Sequence, residues 1–300
     1  MSDALAVDKR LVRRSFEQAA ATYDAAAVLQ NEVCRRMLAR LDYIKLEPAT
    51  ILDAGSGTGN AVAGLLARYS RARVIALDLA LAMARRAGAR RQRPALSTVE
   101  GWRALFGRSR QRLAAVCGDI EQLPLASACA GMVWSNLAIQ WSNEPQRAFA
   151  EMHRVLAPGG LLLFSSFGPD TLKELRAAFQ SVDRHTHVHR FTDMHDAGDM
   201  LVACGFADPV MDMEVVTLTY ADVRELMRDL KAIGAHNMTR GRPAALAGKS
   251  LLAKVARNYE PARREGRLPA TFEVIYGHAW KPEPRMTAGG KPIIPLKPVR

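Results

Sequence analysis

Cysteine is scarce and scattered in this chain. Four thiols, Cys34, Cys117, Cys129 and Cys204, occur in 300 residues with no C-x-x-C pair. No disulfide framework organises the fold, and the usage fits a reducing cytoplasm. Long apolar runs are also missing. No stretch approaches the roughly 18 apolar residues that a membrane-spanning helix requires, and the opening Met1–Arg10 is charged too early for a secretory signal. Acid is the third shortage: 30 Asp and Glu face 42 Lys and Arg, a net charge of +12. That balance points to acidic partners, and the lack of an RNA-binding signature ranks nucleic acid last among them. The remainder, 49% hydrophobic and 24% charged, is ordinary globular material with ample core.

One stretch stands out, Ile51-Leu52-Asp53-Ala54-Gly55-Ser56-Gly57-Thr58-Gly59. Apolar residues end in a carboxylate, alternating glycines follow, and a helical pattern resumes at Ala61, so it reads as strand, tight turn and helix. Gly55, Gly57 and Gly59 let the backbone turn sharply and let a ligand approach with no Cβ in the way. Two absences narrow the ligand. The dinucleotide fingerprint G-x-G-x-x-G needs glycine at position 60, where Asn60 stands, and no Lys-Ser or Lys-Thr follows as a P-loop requires. Asp53 at the mouth of the turn would repel a pyrophosphate and suit an ammonium or sulfonium. S-adenosylmethionine carries both cations. Asp78, at the end of the next apolar run and followed by Leu79, suits two ribose hydroxyls. Asp119, past a later strand and followed by Ile120, can accept from the adenine amine. A lone GxG is more simply a hairpin, but Asp53, Asp78 and the flanking helix together favour cofactor binding.

From Asp8 to Leu41 the apolar spacing predicts two helices hinged at Thr22-Tyr23-Asp24, which makes Tyr23 a candidate lid residue. Strands are predicted at Thr50–Asp53, Val74–Asp78, Leu113–Cys117, Gly131–Asn136 and Leu161–Phe167. Helices are predicted at Ala61–Tyr69, from Ala80, and at Pro145–Leu156, the last stopped by Pro158-Gly159-Gly160. This alternation argues for a doubly wound α/β parallel sheet with right-handed connections. Helices near Thr171–Val182, Asp193–Cys204 and Ala221–Gly234 follow, with strands at Asp212–Tyr220 and Thr271–Trp280. If those last strands enter as an antiparallel hairpin at one edge, the sheet has seven strands. The block Asn136-Leu137-Ala138-Ile139-Gln140-Trp141 continues beyond the carboxyl end of a strand, where open α/β sheets place ligands. Its polar Asn136 and Gln140 are therefore candidates for function. Four segments result: a helical lid over 1–45, a cofactor-binding core over 46–168, the remaining sheet with substrate-side helices over 169–280, and a Pro-rich basic tail over 281–300, expected to be disordered.

Between Arg85 and Arg112 nine arginines face a single acid, Glu100. Such a run is either a solvated helix and loop or, with Trp102, Leu105 and Phe106 as anchors, a docking surface. His185, His187 and His189 alternate as metal ligands can, but no further Cys or acid has partner spacing, so no metal is expected. One of these histidines, or Arg190, is expected to line a substrate pocket and meet an anion.

Several blocks resemble the malonyl-acyl-carrier-protein O-methyltransferases of biotin synthesis. They are Ser15-Phe16 with Ala19-Ala20 and Tyr23-Asp24, the glycine stretch, Ser135–Trp141, Arg154–Gly160, Leu230–Ala235 and Leu268–Val274. The resemblance covers about Val12 to Trp280, and its most specific blocks are Asn136–Trp141 and Leu230–Ala235. It implies the class I methyltransferase fold, a Rossmann-like sheet. It also implies a cytoplasmic enzyme that moves a methyl group from S-adenosylmethionine to the free carboxylate of a malonyl thioester on acyl carrier protein, early in biotin synthesis. A carboxylate is already ionised at neutral pH, so no general base is expected; Tyr23, Gln140, Trp141, His187 and Arg190 are assigned positioning roles. The acidic carrier would dock on the basic surface that includes Arg85–Arg112. Three departures stand out: Ser56 where the family usually has cysteine, His189 where asparagine is common, and a longer arginine-rich insertion. Two other activities compete. One is a small aromatic or quinone methyltransferase. The other, suggested by Phe167–Leu172 and Leu226–Leu230, is a respiratory complex I assembly factor that hydroxylates an arginine. A non-catalytic basic binding protein is the third alternative.

Overall fold

The computed structural model describes residues 6–90, 112–183, 185–242 and 248–284. Among them, seven strands form one sheet in the order β3-β2-β1-β4-β5-β7-β6. The strands are β1 Thr50–Ala54, β2 Arg73–Asp78, β3 Leu113–Cys117, β4 Ala130–Asn136, β5 Leu156–Phe167, β6 Ala207–Tyr220 and β7 Leu268–Trp280. β1 through β5 pair in parallel, while β7 runs antiparallel to both β5 and β6. The expected hairpin is thus a wide one. β7 enters between β5 and β6, and two helices, α9 Val223–Ala232 and α10 Lys249–Tyr259, lie between its strands in sequence.

The parallel half is wound by α4 Val62–Arg68, α5 Leu81–Ala89 and α6 Pro145–Val155. Both faces of the sheet are covered, so successive strand residues feed opposite cores. Ile51, Val74, Met132 and Trp134 belong to one cluster, and Leu52, Leu77, Val133 and Phe164 to the other. Before the sheet come α1 Lys9–Ala19, the single turn α2 Tyr23–Ala26 and α3 Val28–Arg40. α1 starts where the Asp8 carboxylate accepts from the amides of Arg10 and Leu11, an N-cap that satisfies orphan donors. Beyond β5 lie α7 Lys173–Gln180 and α8 Met194–Ala203.

β6 and β7 begin earlier than the sequence reading placed them, at Ala207 and Leu268, and of the tail expected to be disordered Lys281 is hydrogen-bonded while 285–300 lie outside the described residues. A third boundary differs in kind. Pro158-Gly159-Gly160 is no stop between helix and strand, because β5 already begins at Leu156, paired with Ala130. The register then shifts before Met132 pairs with Leu161, and Gly159 adopts φ +71°. The glycines form a bulge in the strand. The stretch after β7 secures it: the Gly159 amide donates to the Lys281 carbonyl (2.9 Å) and the Lys281 amide to that of Gly160 (2.8 Å).

Candidate active site

β1 and β4 lie side by side where the sheet order reverses, and the glycine turn leaves the carboxyl end of β1 at that switch point. The amides of Gly55 and Ser56 both donate to the Leu77 carbonyl at 2.8 Å, which locks the turn onto β2. Gly55 has φ +80°, and a Cβ there would sit 2.2 Å from the Ala138 Cβ. At Gly57, φ +53°, a Cβ would meet only the Tyr23 ring, at 3.8 Å. Gly55 therefore answers to packing and Gly57 to an open cleft. Gly59 packs on α5 at Ala87.

The cleft spans about 770 Å³, part of it open to solvent. Among its walls are Tyr23, Gly55, Gly57, Asp78, Leu79, Asp119, Ile120, Asn136, Gln140 and Trp141, so the structure brings together most of the residues singled out in the sequence. Asp53 lies buried behind the turn, 2% exposed, with Oδ2 unpaired among the described residues. Burial, and then the neighbouring Asp78, pushes its carboxyl up to about 8. Asp78 accepts from the amides of Gly57 and Ala80, each at 2.8 Å. Burial raises it to about 6 although those two bonds pull it down. Two acids short of positive charge beside an open glycine turn fit a cationic ligand. The residues present thus suit S-adenosylmethionine, with its sulfonium and ammonium.

Other side chains are already engaged. Asn136 donates to the Gln30 carbonyl (3.1 Å) and accepts from Ser165 (3.0 Å), so it ties α3 to β5 at the cleft wall. Gln140 donates to the Leu137 carbonyl at 2.7 Å and leaves a buried Oε1 without a partner among the described residues. Tyr23 meets Phe16 edge to face, and burial, Asp78 and Asp24 raise its hydroxyl pKa.

α1 covers the cleft, and sequence reasoning missed its main contribution. Lys9 Nζ bridges Asp119 (2.8 Å) and Glu121 (3.1 Å). Lys9, Val12 and Phe16 follow a helical i, i+3, i+7 spacing, and all three line the cleft. A lysine on an otherwise apolar stripe was the available signal. The segment after α9 closes from the other end of the chain: Ser15 donates to the Gly234 carbonyl (3.1 Å), the Asp8 amide to that of Met238 (2.9 Å), and Asn143 holds Val7 through two bonds.

A second, larger cavity of about 2230 Å³ joins the cleft at Gln30, Gln140, Trp141, Phe167, Ile233 and Ala235. Most of its wall is apolar, with Leu172, Leu175, Phe179, Phe191, Leu230 and Phe272 among the contributors. His187 lines it, stacked on Phe179 at 3.8 Å with Nε2 at 2.8 Å from Asp183. His189 also faces in. It accepts from the Met238 amide (2.9 Å), meets Trp141 edge to face, and is lowered to about 4 by burial and then by His236. Arg190 is exposed and lines neither cavity. Among the described residues no group of three His, Cys, Asp or Glu is placed to hold a metal ion. Of the arginine-rich run, 91–111 lie outside the described residues. Arg90 binds Asp24 and the Thr58 carbonyl, Arg112 caps the carbonyls of Leu66, Tyr69 and Ala72, and Arg85 and Arg86 are exposed.

The sheet order and the cleft at the β1–β4 switch point define a class I, S-adenosylmethionine-dependent methyltransferase, and residues 52–164 match the family described as a methyltransferase domain. Solved structures share the architecture. The YcgJ protein of Bacillus subtilis aligns with a TM-score of 0.54 at 14% identity, covering 83% of this chain and 99% of its own. A chain from the complex of the Haloferax volcanii Trm112 methyltransferase activator with a methyltransferase gives 0.55 at 17%, covering 92% and 100%. Sequence relatives are nearer. The malonyl-[acyl-carrier protein] O-methyltransferase of Gallionella capsiferriformans is 56% identical over 96% of each chain, and that of Nitrosospira multiformis 58% identical over 93% of this chain and 91% of its own. The chain belongs to the malonyl-[acyl-carrier protein] O-methyltransferase family, and its cofactor is S-adenosylmethionine. The quinone and arginine-hydroxylase readings are not favoured.

Proposed function

We propose that this enzyme methylates the free carboxylate of a malonyl thioester on acyl carrier protein, a step that masks the charge early in biotin synthesis. The observation that carries the reading is the junction of the two cavities at Gln140 and Trp141, beside the glycine turn. An acyl group entering the larger cavity brings its terminal carboxylate to the cofactor cleft there. When bound, S-adenosylmethionine supplies an electrophilic methyl on sulfur. Asp78, which lines the cleft, would hold the ribose, and Asp53, buried behind the turn, would favour the cationic end through its charge. Asp119, kept in place by Lys9, faces the adenine side. Leu79 and Ile120 form the apolar walls, and Asn136 fixes the floor.

The acceptor is ionised at neutral pH, so this chain's residues need to align it and exclude water rather than remove a proton. Tyr23 and Trp141 shape the junction, and Gln140, held by its donation to the Leu137 carbonyl, stands beside the acceptor. His187, braced by Asp183, lines the approach. The carrier protein is acidic and this chain has net charge +12, with exposed Arg85 and Arg86 beginning the basic run on which the carrier docks. The test is transfer of labelled methyl to malonyl-carrier protein. The label is expected to be released by mild base, as from an ester; base-stable label on the protein would overturn the reading.

A further inference from the structure

The walls of the larger cavity are mainly apolar, but its exposed rim holds Lys231, His236 and Arg242. Acids also line this cavity, yet they are engaged: Asp183 with His187 at 2.8 Å and Asp229 with the Tyr220 hydroxyl at 2.9 Å. The cations are not. Arg242 makes one long bond to the Thr239 carbonyl (3.4 Å), and among the described residues neither Arg242 nor Lys231 has a carboxylate partner. The two lie close enough to act on His236, whose imidazole is held below the ordinary histidine range by burial and then by these neighbours. His236 is itself anchored, with Nδ1 at 3.2 Å from Ser15 Oγ. Two cations with no carboxylate partner among the described residues, beside an imidazole that can donate, suit an anion at this cavity mouth.

The carboxylate that is methylated is expected at the Gln140–Trp141 junction, which Ile233 and Ala235 of the same segment also line, so an anion held by the exposed Lys231, His236 and Arg242 side chains would be a second one. A malonyl group is also far too small to occupy the whole cavity. What a carrier protein presents besides the acyl group is its pantetheine arm, a long, uncharged thiol chain ending in a phosphodiester. We propose that Lys231, His236 and Arg242 recognise the phosphodiester of the carrier protein's pantetheine arm, with the arm itself lying along the apolar cavity. Arg242 supplies a planar fork and Lys231 a point charge, the two side-chain types suited to phosphate oxygens. The inference rests on the proposed acceptor and adds the subsite that selects it.

The test compares malonyl-phosphopantetheine with malonyl-pantetheine, two acceptors that differ only in the phosphate, with malonyl-carrier protein as the reference for activity. In R242Q and K231Q the preference in kcat/KM for the phosphorylated acceptor is expected to fall by about tenfold, the loss of one charge-assisted contact, mainly through KM. Arg242→Lys should recover part of it. An unchanged preference would overturn the proposal. So would an equal loss on both acceptors with kcat reduced, which would mean that these cations serve the reacting carboxylate. If wild-type enzyme does not methylate malonyl-carrier protein, the proposed function fails rather than the rim assignment.

Discussion

Asp53 is buried behind the glycine turn and Asp78 lines the cleft beside it, and both carboxyls are held well above the usual value of 3.8. A carboxyl raised in the folded state stabilises the fold while protonated. That contribution is complete below about pH 4 and is lost as pH rises through 6 for Asp78 and 8 for Asp53. Each group contributes a slope of at most about 1.4 kcal/mol per pH unit. Ligand-free enzyme is therefore expected to melt at lower temperature as pH rises from about 5.5 to 8.5, with D53N flattening the trend in a thermal-shift series. A cationic ligand reverses the preference. Binding of S-adenosylmethionine at neutral pH should release protons, which calorimetry in buffers of different ionisation enthalpy will detect. The glycines separate by the same residue-scale reasoning. Gly55→Ala forces a Cβ to 2.2 Å from Ala138 at φ +80° and should cost about 2–4 kcal/mol in urea unfolding. Gly57→Ala, open on the cleft side, should cost about 1 kcal/mol and weaken cofactor binding instead.

At the scale of elements, the cover over the cofactor cleft is assembled from both ends of the chain. Val7 bridges to Thr239, Asp8 to Met238 and Ser15 to Gly234, while Lys9 reaches down to Asp119 and Glu121. These bonds couple the two segments, so residues 6–20 and 233–240 should exchange amide hydrogens as one unit. Bound cofactor should protect both together. Lys9→Ala should accelerate exchange in both; faster exchange in α1 alone would argue against a shared cover. The apolar period revealed α1 and the Tyr23 hinge in the sequence, but not the partner across the cleft. Backbone bonds to the 234–240 segment have no side-chain signature. The β5 bulge was hidden for a related reason, since Pro158-Gly159-Gly160 reads as a stop unless Lys281, more than a hundred residues on, is known to pair with it.

For the whole molecule, the sheet was legible because alternating strands and helices allow few topologies, and the cofactor turn because glycine and acid at fixed spacing have few other uses. The acceptor side was less so. His187 was singled out for its place in an alternating His triplet. Asp183, which braces it, and the rim at Lys231, His236 and Arg242 come from separate segments that only the tertiary fold joins. Likewise Arg190 and His189 are neighbours in one irregular stretch, but only His189 turns inward. The acceptor is where the functional reading is most exposed to test. The most direct measurement is intact-protein mass spectrometry of malonyl-carrier protein and acetyl-carrier protein, each incubated with the enzyme and S-adenosylmethionine. One added methyl on the malonyl form and none on the acetyl form is expected; no methyl on the malonyl form, or a methyl on both, would contradict carboxylate methylation.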